Sequence, residues 1–243
     1  MNNGIILNRG SITFGILNNT AGGAISNYRM IKSDAYYSNL YNYGTISNHA
    51  HGMVKISLGT VIYNFYGAVM NNAGTFTDTV GYPGDSATFY NTGTINNLSG
   101  GLVFNYFHFV NTNDGIIYNN AGANITNGYI FYQQGTILNR GNFNNNNGAD
   151  VPFTIGGVFI NQHGGVINNN HTIDVNSLGI IANLYGSTIN NNSGAILYDL
   201  SGGTIDNNAG ATINNGGTLE VHCGSAYNNG GTLTGNPITT PCP

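Results

Sequence analysis

The sequence predicts an all-β fold, namely a three-sided parallel β-helix (β-solenoid) with about 22 residues per coil and about 11 coils. Three observations predict this fold: a short phrase that recurs along the chain, a column of apolar residues at regular steps, and a column of asparagines at similar steps. The steps are informative because a parallel solenoid places residues that are one coil apart directly above one another.

The recurring phrase is an apolar β-branched residue, two asparagines and a glycine-containing corner. It is plainest in residues 203–217, which read Gly-Thr-Ile-Asp-Asn-Asn-Ala-Gly-Ala-Thr-Ile-Asn-Asn-Gly-Gly. The alternating Thr-Ile segment indicates a very short strand, and Asn and Gly tolerate the left-handed backbone of a sharp corner. Such a strand cannot bury a core alone, so we expect identical strands to stack above and below it in register.

Steps of 22 residues from Phe109 reach only apolar positions. We therefore predict one column of side chains that points into the prism. This predicted core column comprises Phe109, Phe131, Phe153, Val175, Leu197 and Leu219.

Asparagines form a second column at steps of 20, 22 or 24 residues. Its predicted members are Asn97, Asn119, Asn139, Asn161, Asn183 and Asn207. A third series contains Asn105, Asn127, Asn169 and Asn191, with a disturbance around residues 144–147. Amide side chains stacked at corners can hydrogen-bond to their neighbours above and below, as in other asparagine ladders.

The repeat divides the chain into a predicted solenoid over residues 1–221 and a predicted tail over residues 222–243, which is rich in proline. Residues 29–39 and 78–86 depart from the repeat, and we interpret them as loops at corners or as widened coils. Corner insertions are where solenoids make specific contacts, although corner drift without a role would look the same.

Two cysteines, Cys223 and Cys242, lie near the carboxyl end. A disulfide between them would join the tail to the last coil and would indicate an oxidising compartment. In the chain-entropy model such a loop contributes on the order of 3 kcal/mol. An intermolecular bond and two free thiols remain as alternatives.

Composition argues against several classes of function. The net charge is −4, only 6% of the residues are charged, and no basic stripe exists, which argues against nucleic-acid binding. No run of 18 apolar residues is present, so we predict no membrane span. The nine carboxylates are spread along the chain, and we predict no catalytic, metal or cofactor site.

The Gly-Thr-Ile-x-Asn-Asn phrase resembles the β-solenoid repeats of bacterial and archaeal surface proteins. Autotransporter passenger domains, filamentous-haemagglutinin-like adhesins and secreted archaeal Asn/Gly-rich repeat proteins are the groups concerned. The resemblance covers nearly the whole chain, but it concerns the style of the repeat and carries no site residues. It implies a solenoid and an extracellular or cell-surface location.

A solenoid exposes an unpaired strand edge at each end, and natural proteins usually cover such edges with charge, proline or a capping helix. The first coil here contains no such device, so the sequence favours a structural subunit whose rods associate head to tail into a homopolymer, with side-to-side association through Tyr-rich faces left open. The alternative is an adhesin or fibre module that binds surface glycans through Tyr- and Asn-rich faces. Its densest aromatic patch contains Tyr36, Tyr37, Tyr41 and Tyr43.

Overall fold

The computed structural model describes residues 1–34, 37–57, 59–78, 87–106, 108–146 and 152–241. These residues contain 33 strands in three parallel sheets of 11 strands, and each sheet takes every third strand. The chain therefore visits the three sheets in turn as it climbs from coil to coil. The predicted three-sided parallel β-helix is confirmed.

The strands are numbered in chain order. The first sheet contains β1 (Ile5–Asn8), β4 (Ala24–Asn27), β7 (Thr45–Asn48), β10 (Val69–Asn72), β13 (Thr94–Asn97), β16 (Ile116–Asn119), β19 (Thr136–Asn139), β22 (Val158–Asn161), β25 (Ile180–Asn183), β28 (Thr204–Asn207) and β31 (Ala226–Asn229). The second sheet contains β2 (Ser11–Phe14), β5 (Met30–Ser33), β8 (Met53–Ile56), β11 (Thr75–Asp78), β14 (Leu102–Asn105), β17 (Asn124–Asn127), β20 (Asn142–Asn145), β23 (Val166–Asn169), β26 (Thr188–Asn191), β29 (Thr212–Asn215) and β32 (Thr232–Gly235). The third sheet contains β3 (Ile16–Asn19), β6 (Asn39–Asn42), β9 (Val61–Asn64), β12 (Thr88–Asn91), β15 (His108–Asn111), β18 (Phe131–Gln133), β21 (Phe153–Ile155), β24 (Thr172–Val175), β27 (Ile196–Asp199), β30 (Thr218–Val221) and β33 (Ile238–Thr239).

A typical strand has four residues, of which the second and fourth are buried and the first and third are half-exposed. This alternation follows from the two-residue period of a strand, which sends successive side chains to opposite faces. In β13, Ile95 points into the core and Asn97 turns into the corner. The Thr-Ile-Asn-Asn phrase is thus one full side of a coil.

The third sheet contains an inward column of large apolar residues. Phe109 pairs with Phe131, Phe153 with Ile173, Ile173 with Leu197, and Leu197 with Leu219. The ring centroids of Phe89 and Phe109, and of Phe109 and Phe131, lie 4.7 Å apart. Such contacts add to the large apolar area that these rings bury.

The prediction that Val175 belongs to this column is wrong, because Ile173 takes that place beside Phe153. The coil between Phe153 and Ile173 is two residues shorter than the 22-residue average, and the following coil is two residues longer. A fixed step of 22 therefore overshoots by two residues. It lands on the fourth position of β24, which also points inward, so Val175 is apolar and buried there.

Corner length explains the variable steps. Every corner between the first and second sheets has either two or four residues. In the four-residue corners the third residue has a left-handed backbone, which glycine adopts without strain, as at Gly122 (φ 76°) and Gly186 (φ 73°). Leu178 occupies the same region (φ 71°) in the corner between β24 and β25 without being a glycine.

The boundary predicted at residue 222 lies within the regular stack. Strands β31, β32 and β33 pair in register with β28, β29 and β30, so the solenoid continues to Thr239. The predicted loop over residues 29–39 contains β5, which pairs with β2 and β8 and is therefore a regular side. Most of the second predicted loop, residues 79–86, lies outside the described residues.

Asparagines line the inside of the corners. All six predicted members of the first-sheet column, from Asn97 to Asn207, are 0% exposed. Asn119 Nδ2 donates to Asn139 Oδ1 at 2.7 Å, and Asn139 Nδ2 donates to Asn161 Oδ1 at 2.8 Å and to the Val166 carbonyl at 3.2 Å. The interrupted third series is continuous, because Asn145 accepts from Asn127 and donates to Asn169.

We expect the Asn139→Ala variant to be less stable by about 2–4 kcal/mol, because it removes one of the two acceptors of the buried Asn119 amide and the amide that donates to Asn161 Oδ1 and to the Val166 carbonyl. The matched control is Asn168→Ala. Asn168 also forms hydrogen bonds to asparagines above and below, at 2.8 Å each. It lies half-buried on the outer face, however, where water can replace these hydrogen bonds. Urea unfolding followed by circular dichroism measures both, and an equal loss in the two variants would contradict a special role of the buried column.

Candidate functional site

The amino-terminal end of the rod exposes part of its core. The first coil, β1 to β3, has strand partners on one side only, apart from a bridge between Asn2 and Asn19. The inward side chain of Ile6 is half-buried, whereas Ile25 in the next coil is 1% exposed. Ile12 is half-buried in the same way above Ile31. The apolar column is therefore open to solvent at this end of the described stack.

Among the described residues, the inward side chains at the carboxyl-terminal end are also half-buried. Tyr227, Leu233 and Ile238 point inward from the last coil and are half-buried. The Tyr227 hydroxyl is buried and has no hydrogen-bond partner among the described residues. Burial also raises the pKa of Tyr227. An unpartnered buried hydroxyl costs stability, which a donor or acceptor from a second molecule would relieve.

The asparagine column of the first sheet gives the rod a direction. It extends from Asn8 in β1 to Asn229 in β31, and each Nδ2 donates to the Oδ1 of the following coil. At the carboxyl end, the described residues offer Asn229 Nδ2 no acceptor. At the amino end, Asn8 Oδ1 accepts from the Gly10 N–H at 3.1 Å and, unlike the members of later coils, from no asparagine Nδ2 of the described residues. One end of the rod therefore offers a donor and the other an acceptor, in the same column.

Charge is also distributed along the rod in one direction. Four of the five basic residues lie within the first 55 residues, with Asp34 as the single acidic residue there. Residues 172–243 contain four acidic residues and no lysine or arginine. Opposite charge at opposite ends favours a head-to-tail encounter over a head-to-head one. Counting charge coil by coil along the sequence could have revealed this asymmetry.

Asp199 is a buried carboxylate near the carboxyl end. It ends β27 at the position that asparagine holds in the first five coils of the third sheet, and it is 0% exposed. Val175 and Val221 lie above and below it in the column. Neither carboxylate oxygen has a hydrogen-bond partner among the described residues. The column thus lacks, at this level, the amides that would satisfy a charged side chain.

Burial raises the pKa of Asp199 to about 6. This value includes the neighbouring groups: the Ser225 hydroxyl and His222 act to lower the pKa, and the Asp206 charge acts with burial to raise it. The Ser225 hydroxyl donates its proton to the His222 carbonyl at 2.6 Å rather than to Asp199, and His222 Nε2 lies 2.8 Å from Glu220 Oε1. The neutral acid has nearly the shape of asparagine and can donate as an amide does, so protonated Asp199 suits this position better than the carboxylate.

The predicted glycan-binding patch does not form one open platform. Tyr41, Tyr63 and Tyr90 stack on one another along the outer face of the third sheet, with centroids 5.5 and 5.2 Å apart and planes within 12°. Tyr43 stacks on Phe65 at 4.1 Å. Rings stacked in this way present edges rather than faces to solvent. Tyr36 lies outside the described residues, and Tyr37 is exposed.

Cys223 lies in the corner between β30 and β31, and Cys242 lies outside the described residues. The disulfide therefore stays a prediction. In the part of the chain that the structure describes, no group of three or more His, Cys, Asp or Glu side chains could hold a metal ion. None of these residues forms a helix with the length and apolarity needed to cross a bilayer.

No protein-family model matches the chain, and no curated protein matches it. Among solved structures, the chain is similar to a TibA fragment that is hyper-glycosylated in a reaction catalysed by TibC. The two chains are 15% identical, with a TM-score of 0.43, and the match covers 98% of this chain and 97% of that chain. This likeness concerns only the path of the chain, and no argument about function rests on it.

Proposed function

We propose that the protein is a non-catalytic structural subunit of a filament at the cell surface or outside the cell, in which β-solenoid rods associate head to tail. The observation that carries this proposal is the single hydrogen-bond direction of the first-sheet asparagine column. Only a head-to-tail contact sets the unpartnered Asn229 Nδ2 of one copy against Asn8 Oδ1 of the next.

The same contact covers apolar groups that each end leaves half-buried. In a continued register, Tyr227 of one copy lies over Ile6 of the next, and Leu233 lies over Ile12. Each buried side chain of this size contributes about 1.5–3 kcal/mol relative to exposure. Because the two contacting surfaces differ, the contact is heterologous and does not close on a dimer, so it continues into a filament.

The location outside the cell rests on the predicted Cys223–Cys242 disulfide, which forms in oxidising compartments. The low content of charged residues, 6%, is consistent with a subunit that meets other copies at high density, because it leaves little repulsion between them.

Sedimentation of the purified chain at increasing concentration tests the proposal. We expect species far heavier than the 25.6 kDa monomer, with assembly slower at high salt because salt screens the opposed end charges. A single 25.6 kDa species at every concentration and salt level would rule the proposal out.

A further inference from the structure

The corner between β19 and β20 forms a notch in the side of the rod. Arg140 and Gly141 make a two-residue corner, whereas the corners of the preceding coil (120–123) and the following coil (162–165) have four residues each. The longer corners project on both sides of the shorter one. We call this depression the Arg140 notch. It is lined by Tyr118, Leu138, Arg140 and Gln162, and it continues to His163, Leu184 and Tyr185.

Arg140 is the last basic residue in the sequence, and the nearest other one is Lys55. It makes no ion pair with any described residue. Its Nε donates to Gln162 Oε1 at 2.6 Å, which fixes the plane of the guanidinium and leaves the terminal nitrogens for another partner. A fixed guanidinium suits bidentate binding of a carboxylate.

Tyr185 supplies an aromatic face beside this cation. Its ring lies on Gly210 of the next coil, where a β-carbon would come within 2.3 Å of Tyr185 Cδ2. The residue is nevertheless 69% exposed, so most of the side chain is open to solvent. The His163 ring lies on Gly186 in the same manner, and the two centroids are 6.1 Å apart with planes within 26°. These two rings are stacked, as the rings of the Tyr41 column are, but Tyr185 is far more exposed than the half-buried Tyr41, Tyr63 and Tyr90.

We propose that the Arg140 notch binds an acidic saccharide, with the carboxylate of a uronic acid on Arg140 and a sugar face on Tyr185. A single uncompensated cation fits one carboxylate, whereas a nucleic acid needs a row of cations along its phosphates. The backbone on the side of the rod is already paired within the sheets, so a peptide cannot add as a strand. An exposed ring beside amide and guanidinium donors suits a sugar, whose C–H faces pack on rings while its hydroxyls accept hydrogen bonds. This site is independent of filament formation.

The probes are oligosaccharides of galacturonic acid, alginate and hyaluronan, with neutral galacto-oligosaccharides beside them, titrated by calorimetry onto the full chain. We expect at least one acidic probe to bind, and more weakly at high salt. The Arg140→Gln variant should lose about tenfold or more in affinity for that probe. Tyr185→Ala should lose a similar factor.

The matched control is Tyr66→Ala. Tyr66 is 80% exposed at the second position of a four-residue corner, as Tyr185 is, but no basic residue lies in the corners on either side of it. Circular dichroism checks that all three variants fold. Absence of binding by every acidic probe at millimolar concentration, or unchanged affinity in Arg140→Gln and Tyr185→Ala, would overturn the proposal. An equal loss in Tyr66→Ala would also do so.

Discussion

The Asp199→Asn variant is expected to be more stable than the natural protein at pH 7–8, by roughly 3 kcal/mol. Asparagine keeps the shape of the side chain and removes the buried charge, and its amide can donate where the carboxylate cannot. This difference in the free energy of unfolding corresponds to the shift of the Asp199 pKa from its ordinary value of 3.8 to about 6 in the folded state. Asp199 is 0% exposed, so solvent screens little of this effect.

The pH dependence follows from the direction of the shift. The folded state binds the proton of Asp199 more tightly than the unfolded state, so the contribution of this group is fully present below about pH 4. This stabilising contribution is lost as the pH rises through about 6. Above that range the stability no longer depends on the protonation of Asp199. The advantage of Asp199→Asn should therefore appear across this interval. Burial also raises the pKa of Asp174. Because Asp174 is present in both proteins, its contribution to the pH dependence cancels when their stabilities are compared.

Urea unfolding at several values between pH 4 and 8 measures this difference. The control is Asp114→Asn, which removes the same charge from an exposed corner and should change stability little at any pH. A constant gap between Asp199→Asn and the natural protein over the whole range would show that Asp199 does not titrate as described. Lower stability of the variant at pH 7.5 would show the same.

A single charge on the inward face of the first coil is expected to abolish filaments. In the Ile6→Asp variant, the carboxylate lies where Tyr227 of the preceding copy would cover it, and burial of an unpaired charge costs several kcal/mol. The matched control is Ile5→Asp. Ile5 is the preceding residue of β1, is 84% exposed and points outward, so this variant should still assemble. Electron microscopy and sedimentation compare the two.

The two ends can also be blocked separately. Tyr227→Asp should prevent assembly in the same way from the other end, and a mixture of Ile6→Asp and Tyr227→Asp should form one-to-one dimers and stop there. This result is specific to a heterologous contact, because each variant retains one intact end. Filaments of Ile6→Asp alone, as long as those of the natural protein, would contradict head-to-tail assembly through this surface.

The sequence predicted the architecture well because the stack repeats its chemistry at nearly constant steps. Asn139 could be placed in its column despite a step of 20 residues, since the next two members follow at steps of 22. Val175 was misplaced because corner lengths vary by two residues, which keeps an overshooting step on an inward apolar position. The strands after residue 222 were missed because their apolar positions are sparse and their glycines are many.

The candidate sites were harder to predict than the fold. Asp199 stands in the segment Ile-Leu-Tyr-Asp, which aligns with Ile-Ile-Tyr-Asn at residues 116–119. The sequence alone could therefore show that a carboxylate occupies an asparagine position. Its position between Val175 and Val221 depends on the register of three coils, so it could not be predicted from the sequence. The Arg140 notch depends in the same way on the relative lengths of three successive corners.

Cryo-electron microscopy of the concentrated protein tests the central claim most directly, namely that strands stack on one axis and continue from copy to copy. Head-to-tail assembly predicts filaments with a subunit repeat of roughly 50 Å and a strand spacing of about 4.8 Å that continues through each junction. Separate rods at every concentration, or filaments whose strand spacing is interrupted between copies, would contradict it.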